Sequence, residues 1–290
     1  MILSICTISF RHQLISIEQL AQWAQTNHFQ GIELWGAHAK NLAAQPDYNK
    51  DWLAGYGLKT TMLSDYLPLN ASKIALRQQV TQLSQLAKHW GTKKIRTFAG
   101  SIASSCTSEQ EFTLLASTLR QVCGWLVEHG LTLIIEVHPN TYADSVNSTQ
   151  KLFELVDCDN LKLNFDVLHV WESGAEIIPS LEILKPYINH FHLKNVSSAE
   201  LLDVFSPATV YSASGSREGI VPLFDGVVNY CAFLNYINKH PDSTIRNMAA
   251  SLEWFGDHSK EILTRDRYLI QQLQQQSIPV TIQNAGLCGN

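Results

Sequence analysis

The sequence predicts an α/β protein built as a closed (β/α)8 barrel. Eight short apolar, β-branched runs alternate with longer segments of helical period, the pattern of parallel strands joined by helices. Each run begins as a nearly continuous apolar stretch, as expected for a strand that is covered on both faces. The length of 290 residues also suits this fold, which typically takes about 250.

The predicted strands lie within residues 2–10, 31–36, 59–66, 94–100, 131–139, 161–171, 188–195 and 247–256. The segments between them carry apolar residues at three- and four-residue steps, which predicts amphipathic helices. Ser16 and Ser72 are expected to cap two helices at their N-termini, and Gly91 and Gly130 to end helices in left-handed backbone. The connection 196–228 is long, and connections of that length are usually functional loops or lids.

Composition and charge predict one catalytic barrel domain over residues 1–276 and a loosely ordered tail over 277–290. Hydrophobic residues make up 45% of the chain and charged residues 16%, as in a compact globule. The net charge of −5 without a basic cluster argues against a nucleic-acid partner. No apolar stretch reaches the roughly 18 residues of a membrane span, and no signal-peptide pattern is present, so a cytoplasmic protein is expected. An assembly of identical chains is compatible with the sequence.

Charged and polar side chains stand at the C-terminal ends of the predicted strands, where the active sites of this fold lie. They are Tyr66 in the third strand, Arg96 in the fourth, Glu136 and His138 in the fifth, Asp166 and His169 in the sixth, His192 and Lys194 in the seventh, and Glu253 in the eighth. Side chains alternate along a strand, so Glu136 and His138 share one face, as do His192 and Lys194.

Three of these carboxylates and one imidazole form a candidate metal site. Carboxylates that converge in an apolar barrel need a cation to balance them. Glu136, Asp166, His192 and Glu253 make an oxygen-rich set suited to one Mg²⁺, Mn²⁺ or Zn²⁺. Each residue alone could be solvated or paired with Arg or Lys. Their position at the ends of four consecutive strands favours the metal site.

Three further residues have open interpretations. His190 is expected to be out of phase with His192, that is, to point away from the strand face that carries His192, into the core or on the outer face. Glu33 in the second strand lines the pocket or forms a salt bridge with a loop. Arg11 follows the first strand and either reaches the mouth of the barrel or lies on the surface.

Several motifs resemble a known enzyme family. IIEVHPN, NFDVLHVWESG, HFHLKN and SLEWFG resemble the xylose isomerase-like TIM barrels, the sugar phosphate isomerase and epimerase superfamily. More narrowly, ICTISFRHQLIS, GIELWG, KIRTFAG, LHVWESGA and VPLFDGVVNY resemble bacterial 3-dehydroshikimate dehydratases of petrobactin-type catecholate siderophore biosynthesis. The resemblance extends from about residue 2 to 270.

The resemblance implies a reaction and a set of site residues. The reaction is conversion of 3-dehydroshikimate to 3,4-dihydroxybenzoate (protocatechuate) and water through a metal-stabilised enediolate, which supplies a siderophore catechol. The quartet at the strand ends would bind one Mn²⁺ or Mg²⁺, with Zn²⁺ and Co²⁺ as further candidates. The implied substrate contacts are Tyr66, Arg96, His138, His169, Lys194, Phe205 and Phe255.

The proton-transfer roles stay open between two assignments. His138 is the expected general base, since it shares a strand face with Glu136 and histidine titrates near neutrality. The rival makes His138 the proton donor and His169 or Lys194 the base. Arg96 and Lys194 are expected to bind the substrate carboxylate. The alternative function is a sugar or hydroxy-acid isomerase or epimerase that uses the same metal site.

Overall fold

The computed structural model of the chain describes residues 1–276, so the predicted tail, 277–290, lies outside the described residues. Eight parallel strands close into a barrel in the order in which they occur along the chain, which confirms the predicted fold. Each predicted run contains one of these strands. The barrel strands are β1 Ile2–Cys6, β2 Gly31–Trp35, β3 Lys59–Ser64, β4 Lys94–Thr97, β5 Thr132–Glu136, β6 Leu161–Asp166, β7 Ile188–Leu193 and β10 Ala249–Leu252.

Helices surround the barrel and are capped largely as the sequence predicts. The Ser16 and Ser72 side chains accept hydrogen bonds from backbone N–H groups in the first turns of their helices, and Gly91 ends a helix at φ 71°. The helices are α1 Ile17–Thr26, α2 Gly36–Leu42, α3 Lys50–Gly55, α4 Lys73–Trp90, α5 Glu109–Val127, α6 Val146–Val156, α7 Val167–Glu172, α8 Ile177–Leu184, α9 Pro207–Tyr211, α10 Tyr230–Lys239, α11 Ser243–Arg246 and α12 Ser259–Gln276.

The barrel interior is polar along part of its length. The inward side chains of several strands are serine, histidine, asparagine and glutamate, all fully buried, while the apolar core lies between the strands and the helices. The strand register shifts between Ile32 and Glu33 in β2, and between Leu163 and Asn164 in β6. Register irregularities of this kind re-aim side chains next to active sites.

The long connection after β7 is an ordered structure at the strand ends. Its strands β8 Asn195–Val196 and β9 Ile220–Val221 pair in antiparallel fashion. Between them lie a 3-10 helix, Ala199–Phe205, and the short helix α9. We call residues 199–211 the covering segment, because its residues Phe205, Pro207, Val210 and Tyr211 line the cavity at the barrel mouth.

Candidate active site

The four residues predicted as metal ligands meet at the C-terminal end of the barrel. One ligand atom from each lies within 4.8 Å of those from the other three, and all four residues are buried. His192 Nδ1 is 3.2 Å from Glu136 Oε1, 3.5 Å from Glu253 Oε2 and 3.8 Å from Asp166 Oδ2. The structure therefore gathers three carboxylates around one imidazole nitrogen.

The strand ends bring these side chains together. Glu136 and Asp166 are the last residues of β5 and β6, and Glu253 directly follows β10. Asp166 is the register partner of His192 on the neighbouring strand. Asp166 also caps α7, since its Oδ1 accepts a hydrogen bond of 3.1 Å from the His169 N–H. This bond fixes the carboxylate and leaves Oδ2 facing the cluster.

Two cationic side chains lie among these carboxylates. Lys194 Nζ lies 2.5 Å from Asp166 Oδ2 and 2.8 Å from Glu253 Oε2. Arg96 Nε lies 2.9 Å from Glu136 Oε2, although neither atom makes a hydrogen bond of acceptable geometry. Four buried acidic residues, the three ligand residues and Glu33, therefore surround His192, with Arg96 and Lys194 as the cationic side chains among them. The donor set therefore fits a divalent cation.

The neighbouring charges keep the carboxylates ionised. Burial raises the pKa of Glu136, but Arg96 and His192 outweigh it and hold the pKa well below its usual range. Burial likewise opposes the effect of His192 and Lys194 on Glu253, whose pKa falls to about 2. Deprotonated carboxylates are the form that metal binding requires.

Two histidines lie side by side next to this cluster, with ring centroids 4.5 Å apart. His138 Nδ1 lies 2.8 Å from the Pro139 carbonyl oxygen, and because a carbonyl only accepts, Nδ1 carries the proton. Burial, together with His169, lowers the pKa of His138 to about 3. The His138 ring is therefore neutral and keeps a lone pair on Nε2. His169 Nδ1 is 2.7 Å from Glu172 Oε2, which orients the second ring.

All seven predicted substrate contacts line one cavity of about 40 Å³. Aromatic rings form its walls: the Arg96 guanidinium carbon lies 5.4 Å from the Tyr66 ring centroid and 5.0 Å from that of Phe98. The ring centroids of Phe205 and Phe255 are 6.0 Å apart. A second cavity of about 230 Å³ shares His138, His169 and Phe205 with the first.

Several residues that line this cavity are absent from the sequence prediction, Phe98 and Tyr211 among them. Phe98 directly follows β4, two residues after Arg96, so strand alternation could have identified it. Tyr211 belongs to the covering segment, whose sequence carries no clear period. The Tyr211 hydroxyl makes a hydrogen bond with that of Tyr66, and the Tyr211 ring stacks on Trp35 at 6.0 Å.

The structure also decides the three open positions. The expectation that His190 is out of phase with His192 is wrong, because residues two apart in a strand share a face. His190 is buried inside the barrel, with Nε2 2.8 Å from Ser251 Oγ. Glu33 neither lines the pocket nor contacts a loop, since it lies inside the barrel beneath His192. Arg11 donates to the Val210 carbonyl and therefore holds the covering segment.

Comparison with known proteins identifies the family. The model of the xylose isomerase-like TIM barrels matches residues 21–274. The chain belongs to this family. This xylose isomerase-like protein is 44% identical over 266 residues to a 3-dehydroshikimate dehydratase of Bacillus anthracis, covering 90% of the chain and 93% of that relative.

Solved structures agree with this xylose isomerase-like assignment. The crystal structure of the probable 3-DHS dehydratase AsbF, involved in petrobactin synthesis in Bacillus anthracis, superimposes with a TM-score of 0.88 at 43% identity. That match covers 93% of this chain and 99% of AsbF. The IOLI protein, solved with a zinc atom, shares the fold at 14% identity and a TM-score of 0.70, over 96% of each chain. No helix within residues 1–276 is long and apolar enough to cross a membrane.

Proposed function

We propose that this chain is a 3-dehydroshikimate dehydratase that releases water from 3-dehydroshikimate and forms protocatechuate, a catechol for siderophore biosynthesis. The observation that carries the proposal is the 44% identity to the Bacillus anthracis dehydratase over 90% of the chain. The buried carboxylate cluster and the two histidines beside it are the groups that such a reaction needs.

Glu136, Asp166, His192 and Glu253 would hold one divalent cation, Mn²⁺ or Mg²⁺, in the proposed enzyme. The convergence of three buried carboxylates on one imidazole and their oxygen-rich composition support this assignment. The cation would supply Lewis-acid stabilisation of the negative charge that develops on the substrate oxygens during proton removal.

His138 is the proposed base that removes the proton from C4 of the substrate. Its ring is neutral, its Nδ1 is committed to the Pro139 carbonyl, and its Nε2 lone pair is free to accept a proton. Lys194 is unsuited to the rival role of base. Burial lowers the pKa of Lys194, but Asp166, Glu253 and Glu136 outweigh it and raise that pKa well above its usual value.

Departure of the C5 hydroxyl as water requires a proton donor. Lys194, held as an ammonium beside the cluster, and His169, oriented by Glu172, are the two candidates. A final proton loss from C6 gives the aromatic ring. Phe205 and Phe255 cover the site and exclude solvent while these protons move.

Arg96 is a stronger candidate than Lys194 for binding the substrate carboxylate. Its Nη1 is buried without a hydrogen-bond partner, so a carboxylate oxygen would satisfy it. Lys194 already contacts two carboxylates of the cluster, which makes its ammonium less available. The rings of Tyr66 and Phe98 flank the guanidinium.

The experiment that tests this proposal compares substrates. Purified protein supplied with Mn²⁺ is given either 3-dehydroshikimate or a ketose, and products are followed by protocatechuate absorbance and by sugar chromatography. We expect protocatechuate from the first and no change in the second. Ketose isomerisation without any aromatic product would instead support a sugar isomerase.

A further inference from the structure

His192 has a specific partner on the side of its ring that faces away from the candidate metal site. Its Nε2 lies 2.9 Å from Glu33 Oε2 and 3.1 Å from Glu33 Oε1, whereas its Nδ1 faces the carboxylate cluster. Neither residue has any solvent exposure. Each ring nitrogen therefore has its own surroundings: Nε2 faces Glu33, and Nδ1 faces the candidate metal site.

Glu33 is itself held rigidly. It lies in the middle of β2, across the barrel from β7. The Ser64 hydroxyl on β3 donates a hydrogen bond to Glu33 Oε1, and His190 Nε2 lies 3.5 Å from Glu33 Oε2. A carboxylate without solvent exposure that is held by neighbouring strands presents its oxygens to His192 in one orientation.

We infer that Glu33 is a positioning residue that keeps the His192 proton on Nε2 and so leaves the Nδ1 lone pair for the cation. This inference rests on the proposed metal site. With a cation held by the three carboxylates, Nδ1 would be its ligand and carry no proton, so the single proton of a neutral ring belongs on Nε2, where Glu33 accepts it. A flipped ring would place carbon atoms against both Glu33 and Glu136.

The consequence for the cation is a stronger and better-oriented nitrogen ligand. A carboxylate that accepts the distal N–H of a ligating histidine fixes its tautomer and raises its basicity. Replacing such a partner typically weakens metal affinity by about 10- to 100-fold. Glu33 would therefore act on the site without contacting the cation or the substrate.

The first test determines which ring nitrogen of His192 carries the proton. In protein loaded with diamagnetic Zn²⁺ and labelled with nitrogen-15 in histidine, two-bond proton–nitrogen correlations report which nitrogen is protonated. His192 is expected to carry its proton on Nε2. A proton on Nδ1 would overturn the inference, and this result requires no variant to fold.

The second test measures Mn²⁺ affinity by the paramagnetic resonance of free Mn²⁺. Glu33→Ala is expected to weaken binding by about 10- to 100-fold, and Glu33→Gln, which keeps an acceptor of the same shape, by less. Ser251→Ala is the matched control, because Ser251 is equally buried in the barrel and contacts His190 rather than His192. Its affinity should equal that of the wild type.

The outcomes distinguish failure of the inference about Glu33 from failure of the proposed metal site. If the wild-type protein binds no Mn²⁺, the metal site itself fails. If the wild type binds one ion and the Glu33 variants bind it equally well, only the inference fails. The ligand atoms of Glu33, His190 and His192 also lie within 4.8 Å of one another, so two ions per chain would make Glu33 a ligand and contradict its positioning role.

Discussion

The side chains of the candidate site divide into those that hold charge and those that move protons. Glu136, Asp166 and Glu253 are buried, and their carboxylate oxygens converge on His192. His138 is buried but neutral, because no carboxylate contacts its ring and burial disfavours its charge. Environment, rather than residue type, therefore distinguishes His192, the proposed ligand, from His138, the proposed base.

Removing one carboxylate of the cluster should abolish metal binding. Glu253→Ala deletes an oxygen that lies 3.5 Å from His192 Nδ1 and leaves an incomplete ligand set. Elemental analysis of the purified variant should find metal far below one ion per chain. Glu154→Ala, which changes an exposed glutamate, is the control and should keep wild-type metal content. Stoichiometric metal in the Glu253 variant would contradict the quartet.

Removing the proposed base should affect turnover alone. His138→Ala leaves the four proposed ligands intact, so metal content should stay at the wild-type level. The kcat should fall by about 10²- to 10⁴-fold, the usual contribution of general acid–base catalysis. Exposed His129→Ala serves as the control, with unchanged kcat. Wild-type kcat in the His138 variant would exclude the role.

Alternation along strands allows part of this site to be predicted from sequence. It correctly pairs Glu136 with His138, and His192 with Lys194, because these residues share strand faces. The same rule places His190 below His192. The contact between Glu33 and His192 could not be predicted, since it depends on how barrel closure brings the inward side chains of β2 and β7 together.

At the scale of elements, the covering segment lies over the candidate site. The cavity of about 40 Å³ holds a few water molecules rather than a six-membered ring with a carboxylate. We therefore propose that the covering segment shifts when substrate enters. Arg11 is one of its links to the barrel: Nε donates to the Val210 carbonyl at 2.5 Å and Nη1 to the Ile8 carbonyl at 3.2 Å.

Loss of this link should weaken substrate binding. In Arg11→Ala the covering segment is held less firmly, so KM should rise on the order of 10-fold, equivalent to about 1.4 kcal/mol, while Mn²⁺ affinity stays unchanged. Steady-state kinetics measure the first and metal titration the second. Arg120→Ala is the control, because Arg120 also donates to two backbone carbonyls but lies far along the chain from the covering segment. An equal rise in both variants would contradict a specific role.

Helix α12 carries a carboxyl that should make stability depend on pH. Burial raises the pKa of Asp266 from 3.8 to about 7, although its Oδ2 accepts the Leu223 N–H. The folded state keeps the Asp266 proton over a range in which the unfolded state loses it. The contribution to stability is therefore full below about pH 3.8 and is lost as pH rises toward 7.

Asp266→Asn removes this dependence. Relative to wild type, the variant should gain free energy of unfolding between pH 5 and pH 8, by at most about 1.4 kcal/mol per pH unit up to the folded pKa. Urea unfolding at both pH values measures this gain. Exposed Asp159→Asn is the control and should show no such trend. The same difference at both pH values would show that Asp266 is ionised when folded.

At the scale of the whole molecule, the alternation of apolar runs and helical segments is enough to predict the barrel. Eight separate signals agree, and a parallel sheet of that size with helical crossovers closes on itself. The hairpin of β8 and β9 could not be predicted, because each strand has two residues and no periodicity. The covering segment escapes prediction for the same reason. The fold is thus easier to predict from the sequence than the covering segment over the candidate site.

The most direct test of the account is a titration of chelator-stripped protein with Mn²⁺ while protocatechuate forms from 3-dehydroshikimate. The central claim is that one cation in the barrel supports dehydration of this substrate. The rate should be negligible without metal, rise linearly and reach its plateau at one ion per chain. Full activity without metal, or no aromatic product at any metal concentration, would contradict the account.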